Sequence, residues 1–340
     1  MSTSETPYPR LVGDIGGTRA RFATVESPGA VLSHPSTHAC ADFAGFEQLL
    51  SHRLDTATGP RPRVAALGVA TPVTGDRVRM TNLDWSFSID DLRQTIGLER
   101  VVVLNDFATL ALALPGLRAQ ELHRIGAGAG VPTPNGPLAV LGPGTGLGVA
   151  GLARRGSTWL PVTGEGGHAT LAADDDREEA VLRALRTRFG HVSAERVLSG
   201  PGLVHLYDAL AAIAGSAAES LQPEDVTQRA LDDSDATCRQ AVAMFLGWLG
   251  ALAGDLALTF GARGGVYVGG GVVPRILPLL SGSDFRSRFE RKGRFADYLA
   301  AIPTWLVMDA PNAALHGACV ALDGPSDPGA VAEKRAATRT

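Results

Sequence analysis

The sequence predicts an α/β protein of two domains, and three observations carry that prediction. Apolar, strand-like runs recur along the chain, and each ends in a glycine or polar turn before another element begins. That arrangement belongs to α/β folds whose ligand sites gather at strand ends. At 340 residues the chain exceeds the roughly 250–300 at which single cores stop growing. The long apolar stretch from Ala241 to Val273 is interrupted by Asp255 and Arg263 and crowded with glycine in its second half, so it reads as a buried helix followed by a strand rather than a membrane span.

Leu11 to Phe22, LVGDIGGTRARF, opens the series. A strand runs to Asp14, the chain turns through Gly16, Gly17 and Thr18, and a second strand resumes. This is the layout of a phosphate-binding hairpin: glycines accept φ > 0 and let a ligand approach, while successive N–H groups and the Thr18 hydroxyl face phosphate oxygens. Asp14 is placed to hold a metal ion through water. On this segment alone, a Gly-Gly hairpin with no ligand is the competing reading. Arg63 to Ala70, RVAALGVA, reads as a buried strand, and TPVTGDRVRMTN after it reads as a hairpin turning at Gly75 and Asp76. Val101 to Leu104 is another apolar strand, broken at Asn105-Asp106 before the helical pattern FATLALAL.

Leu138 to Leu141 leads into GPGTGLGVAGLA, where Gly144 and Thr145 repeat the Gly/Thr chemistry of the first turn. The glycines at 142, 144, 146 and 148 alternate and miss the third glycine of a GxGxxG element, and VAGLA continues as a strand. A nicotinamide enzyme therefore has little behind it. Ala236 to Phe260 has the spacing of a core helix, with Gly247, Gly250 and Gly254 expected to permit close packing at some cost in propensity. Gly265 to Val268 is a strand that leads into GGGVVPR. The lead-in at 1–8 and the polar tail from Gly324 to Thr340 are expected to be disordered.

Charge and composition narrow the partners. A net charge of −4 argues against a nucleic-acid polyanion, and the arginines from Arg286 to Arg294 read as solvated surface. Cys40, Cys238 and Cys319 are three widely separated thiols, which fit a reduced compartment and neither a zinc knuckle nor a disulfide frame. The opening MSTSETPYPR lacks the build of a signal peptide, so a soluble, cytoplasmic protein is expected. Lys292 and Lys334 are the only lysines. The chain thus has neither a GxxxxGK[ST] loop nor a protein-kinase strand lysine. If it handles ATP, backbone amides, threonine hydroxyls and Mg²⁺ must carry the phosphate charge.

Taken in order, GDIGGTRARF, TNLDWSFS, LNDFATLALALP, GPGTGLGVA, GEGGH, GHVSAERVLSGPGLV, GGVYVGGGVVPR and KGRFADYLAAIP resemble the bacterial glucokinase family of the hexokinase, actin and Hsp70 superfamily. The resemblance runs from about Leu11 to about Leu322, and the zinc-binding cysteine cluster of the related repressor, open-reading-frame and kinase group is missing. It implies a two-domain actin-like ATPase (ribonuclease H-like) fold with a cleft between the domains. Residues 9–117 and 309–323 would form the smaller domain and 118–308 the larger. It also implies ATP and Mg²⁺ as cofactors, D-glucose as acceptor, and a homodimer with no nucleic-acid or membrane partner.

The same resemblance assigns roles. Asp106 would be the general base that takes the proton of the attacking sugar hydroxyl; a carboxylate with an ordinary pKa of ~3.9 is ionised at neutral pH. Asn105-Asp106 also suits the cap of a helix beginning at Phe107, and the two roles can coexist. Asn105, Glu165, His168 and Glu195 would join Asp106 in binding the sugar, since a carboxylate and an imidazole read hydroxyls as acceptor and donor. Glu195 also lies just inside an expected helix start at Ser193, where its charge would suit the dipole. Gly13, Asp14, Ile15, Gly16, Gly17 and Thr18 would form the first phosphate turn, Gly144 and Thr145 the second, and Gly269, Gly270 and Gly271 the adenosine region. Asp14 would anchor Mg²⁺ through water. Two departures concern nucleotide affinity: Arg19 stands where many relatives carry asparagine, and Pro143 removes a backbone donor beside the second turn. A kinase of another hexose and a non-catalytic sugar-binding regulator remain the alternatives.

Overall fold

The computed structural model describes residues 6–126 and 130–324. These fall into two compact units, the described residues of Met1–Pro115 with Pro311–Thr340, and Gly116–Ala310.

The first unit is built on β1 (Arg10–Ile15), β2 (Arg19–Val25), β3 (Ser33–Ala39), β4 (Val64–Val69) and β7 (Arg100–Asn105), with a small ribbon of β5 (Arg77–Arg79) and β6 (Ser86–Ser88). Its helices are α1 (Phe46–Asp55), α2 (Ile89–Ile96) and α3 (Asp106–Ala113). The main sheet runs β3-β2-β1-β4-β7, antiparallel through the first three strands and parallel from β1 onward. β4 is buried along its whole length, which is why VAALGV is continuously apolar. β3, SHPSTHA, is a polar edge strand without alternation, so periodicity could not reveal it.

The second unit contains β8 (Leu122–Arg124), β9 (Leu138–Pro143), β10 (Leu147–Arg155), β11 (Thr158–Gly164), β12 (Gly265–Val268) and β13 (Thr304–Val307). Around this sheet lie α4 (Asp176–Phe189), α5 (Gly200–Ile213), α6 (Pro223–Leu231), α7 (Ala236–Phe260), α8 (Leu277–Leu280), α9 (Phe285–Glu290) and α10 (Ala296–Ala300). Sheet order is β11-β10-β9-β12-β13-β8. Its first five strands repeat the plan of the first unit: an antiparallel meander whose first strand in sequence, β9, pairs in parallel with β12, which pairs in parallel with β13. The β1–β2 turn and the β9–β10 turn thus occupy equivalent places in the two units.

α7 matches the expected core helix from end to end, and Phe245, Trp248 and Leu249 on it are fully buried. It is long and apolar enough to cross a membrane by length and composition, yet 67% of its most apolar window is buried inside the protein. A side chain at Gly250 or Gly254 would collide with the backbone of Phe285 or Phe289, so these glycines let α9 close onto α7. The chain then returns to the first unit as α11 (Ala310–Ala321), where Leu315, Ala318 and Leu322 pack with Val12, Val64 and Ala66.

Two expectations are corrected here. The hairpin after β4 does not turn at Gly75-Asp76. Asp76 Oδ1 accepts the N–H of Asp90 at 2.9 Å in the first turn of α2, and the Ser88 hydroxyl together with this N–H holds Asp76 below the usual carboxylate range. The reversal instead lies between β5 and β6, closed by the Met80 N–H on the Trp85 carbonyl at 2.9 Å. Thr6 to Tyr8, expected in a disordered lead-in, are tied down. Thr6 Oγ1 donates to the Leu322 carbonyl at 3.0 Å, and the Arg10 guanidinium stacks 4.0 Å from the Tyr8 ring. Residues 1–5 of that lead-in, and the tail beyond Gly324, lie outside the described residues.

Candidate active site

In the first unit, β1, β4 and β7 end together, with Ile15 level with Val69 and Val69 level with Asn105. The phosphate turn, the segment after β4 and Asp106 therefore stand at one sheet edge, the carboxyl end of the parallel strands. Asp14 on β1 faces Arg21 on β2, and Arg21 Nη1 donates to Asp14 Oδ2 at 3.2 Å. Burial pushes the Asp14 carboxyl above the usual range, and Arg21 only partly opposes it. Seven residues apart in sequence, Arg21 escaped notice because only the hairpin register makes it the partner.

Neither Gly16 nor Gly17 adopts positive φ, contrary to expectation. The Gly16 N–H closes the turn on the Arg19 carbonyl at 3.0 Å. Gly17 is required for space: a Cβ there would stand 2.9 Å from the Asn82 Cβ. Thr18 and Arg19 are exposed at the tip, and Gly13 lies within β1, packed on Leu67 and Phe22.

α3 begins at Asp106, one residue earlier than expected, with Asn105 as its cap. Asn105 Oδ1 and Asp106 Oδ1 both accept the Phe107 N–H at 2.9 Å. Asn105 Nδ2 reaches the Thr71 carbonyl at 3.4 Å. The capping role is thus real, and the Asp106 carboxylate gains from the positive end of the helix dipole.

In the second unit the Gly144 N–H is used within the turn, donating to the Gly146 carbonyl at 2.8 Å, so it is not a phosphate donor here. Thr145 is exposed at the tip. Pro143 closes β9 instead of disabling the turn. Its carbonyl accepts the Val272 N–H at 3.2 Å, seating the glycine run against β9. Gly270 lies at φ +76° and crowds Pro143, Gly269 donates to the Leu141 carbonyl at 2.8 Å, and Gly271 alone faces open space.

Within the second unit three of the sugar-ligand candidates, Glu165, His168 and Glu195, lie together. Glu195, in a short 3₁₀ turn rather than the expected helix, reaches across to accept the Leu147 N–H with Oε2 at 2.9 Å. A side chain on Gly146 would collide with that oxygen. His168 stands between two carboxylates, Nδ1 at 3.9 Å from Glu195 Oε1 and Nε2 at 3.9 Å from Glu165 Oε2. These separations exceed hydrogen-bond length, so the three groups can each engage hydroxyls of one polyol.

Among the described residues no group of three His, Cys, Asp or Glu side chains is arranged to hold a metal ion. Arg21 engages Oδ2 of Asp14, and a single carboxylate next to the turn fits a Mg²⁺ ion that keeps its waters and leans on nucleotide phosphates.

Twin sheets with equivalent Gly/Thr turns place the chain in the two-domain actin-like ATPase fold, and the comparisons with known proteins place it among the sugar kinases. A family model described as Glucokinase matches residues 11–324. The glucokinase of Aromatoleum aromaticum (strain DSM 19018 / LMG 30748 / EbN1) is 53% identical over 317 residues, covering 93% of this chain and 95% of that one. The crystal structure of glucokinase from an Antarctic psychrotroph superposes with a TM-score of 0.84 at 39% identity, covering 93% and 98%. At 20% identity, a ROK family glucokinase from Streptomyces griseus, in complex with glucose and AMPPNP, shares the fold with a TM-score of 0.64, covering 92% and 99%. The chain belongs to the glucokinase family.

Proposed function

We propose that the protein transfers the γ-phosphoryl group of MgATP to the 6-hydroxyl of D-glucose, giving glucose 6-phosphate and ADP. The observation that carries the reading is the His168 imidazole held 3.9 Å from both Glu165 and Glu195, beside a Gly/Thr turn. Glu165, His168 and Glu195 bind neighbouring sugar hydroxyls, and Asn105 supports the sugar end of the reaction by holding the start of α3. Asp106 accepts the proton of the 6-hydroxyl as its oxygen bonds to the γ-phosphorus and the bond to the bridging oxygen of ADP breaks. Gly13 to Thr18, Gly144-Thr145 and Gly269 to Gly271 form the nucleotide side. Mg²⁺, when bound, is held through water by Asp14 and neutralises phosphate charge.

Membership of a kinase family supports ATP as donor, as does the ATP analogue carried by the Streptomyces griseus relative. The two compact units act as the two kinase domains, and the enzyme works as a cytoplasmic homodimer; free thiols at Cys40, Cys238 and Cys319 suit that compartment. The test is a coupled assay for ADP release with MgATP across glucose, mannose, fructose and N-acetylglucosamine. Turnover with a preference for glucose supports the reading. Preference for another sugar reassigns the acceptor, and glucose binding without turnover on any sugar replaces the enzyme with a regulator.

A further inference from the structure

The β5–β6 reversal is pinned to the segment that precedes Asp106. The Thr71 hydroxyl donates to the Arg79 carbonyl at 2.8 Å, which uses its only proton, so Thr81 Oγ1 donates to Thr71 Oγ1 at 2.9 Å. The Thr71 carbonyl in turn accepts from Asn105 Nδ2. Val78, Met80 and Trp85 anchor the ribbon in the core. This fixed tip presents Asn82 to the phosphate turn, its Cβ 2.9 Å and its Nδ2 3.6 Å from where a Cβ on Gly17 would stand. Asn82 is exposed, and among the described residues its amide makes no hydrogen bond. It lines an open groove of about 660 Å³ together with Arg79, Thr81 and Asp84.

We propose that Asn82 is a further catalytic residue whose Nδ2 donates a hydrogen bond to the phosphoryl group in transit. The assignment rests on the kinase reading above. The transferring group spreads negative charge over its equatorial oxygens, and a donor carried on a braced turn reaches that charge with only its own side chain left to order. No lysine stands in or beside the first turn. A neutral amide on a rigid tip supplies part of what a lysine would, and the glycine at position 17 keeps the approach open.

Asn82→Ala and Asn82→Asp test the proposal, read by steady-state kinetics, by equilibrium binding of ADP and AMPPNP, and by thermal melting. In Asn82→Ala, kcat falls about tenfold or more and the KM for glucose stays within about twofold, because the lost contact forms with the phosphoryl group. The preference for AMPPNP over ADP shrinks, while ADP affinity and melting temperature stay at wild-type values. Asn82→Asp falls further, because a carboxylate repels the phosphoryl oxygens. Wild-type kcat with an unchanged nucleotide preference overturns the proposal, and so does equal weakening of both nucleotides, which marks a structural effect on the turn. A wild-type protein that phosphorylates no sugar defeats the kinase reading by itself; the AMPPNP-to-ADP comparison still decides Asn82.

Discussion

Glu195 takes the main-chain N–H of Leu147 at 2.9 Å, and that bond joins its carboxylate to the first residue of β10, directly after the second Gly/Thr turn. Glu195 Oε1, the other oxygen, is the one turned toward His168. One side chain thus ties the geometry of the Gly144-Thr145 turn to that of the Glu165–His168–Glu195 group.

Gly146→Ala is the selective probe of this tie. The new methyl group collides with Glu195 Oε2 and drives the carboxylate off Leu147. The KM for glucose is expected to rise at least about tenfold, since a displaced charged hydrogen-bond acceptor costs roughly 1.5–3 kcal/mol. An unchanged KM in glucose titrations would show that Glu195 does not need this position.

Asp106→Asn removes the proton acceptor but keeps an oxygen for the Phe107 N–H. Turnover is expected to fall by about 10²–10⁴-fold. Glucose affinity, measured by calorimetry, is expected to stay near wild type. Retained kcat would remove Asp106 from the role of base.

Asp14 links catalysis to pH. Its folded-state pKa is raised by burial, so between the ordinary carboxylate pKa and the raised one the folded protein binds more protons than the unfolded chain. Stability from this group therefore falls as pH rises through that window, and ionised Asp14 is a cost at neutral pH. Asp14→Asn should melt a few degrees higher at pH 7, roughly the effect of 1 kcal/mol, with a flatter dependence on pH, while losing MgATP turnover. Arg21→Met should move the acid limb of activity to higher pH, because it removes the group that lowers the Asp14 pKa. A pH–rate profile coincident with wild type would refute this.

Glu178 and Arg288 form a buried two-bond ion pair between α4 and α9, at 2.5 and 3.1 Å, with side chains 3% and 9% exposed, so Arg288 is not the solvated surface residue expected from the sequence. Glu178→Ala removes both short bonds and leaves the buried Arg288 to its longer pair with Asp174 at 3.4 Å, so it should cost up to about 3–5 kcal/mol in denaturant unfolding. Replacing both by methionine should restore most of that loss. A double variant as weak as the single one would show that the pair contributes more than charge compensation.

Legibility differed by kind of residue. The glycine turns, Asn105-Asp106 and the α7 helix were readable because local chemistry fixes them: glycine spacing, capping preference and a 3.6-residue apolar period. The polar strand β3 carried no such signal, and Asp76 looked like a turn residue because its partner Asp90 lies on the next helix. Arg21 and Asn82 were invisible as site residues, since nothing in their neighbours marks them; their significance comes from the β1–β2 register and from the ribbon folding onto Gly17.

The sequence by itself determined the α/β class, the two Gly/Thr turns, the carboxylates and the histidine, and through eight ordered motifs the family. Only the tertiary structure decided which atoms are left to act. It showed that Gly144 uses its N–H inside the turn, that Gly17 is small to admit Asn82, and that Glu195 is positioned by Leu147. The physical reason is that a backbone donor or a carboxylate oxygen has few bonding places, and long-range packing, which sequence spacing does not encode, decides how they are used.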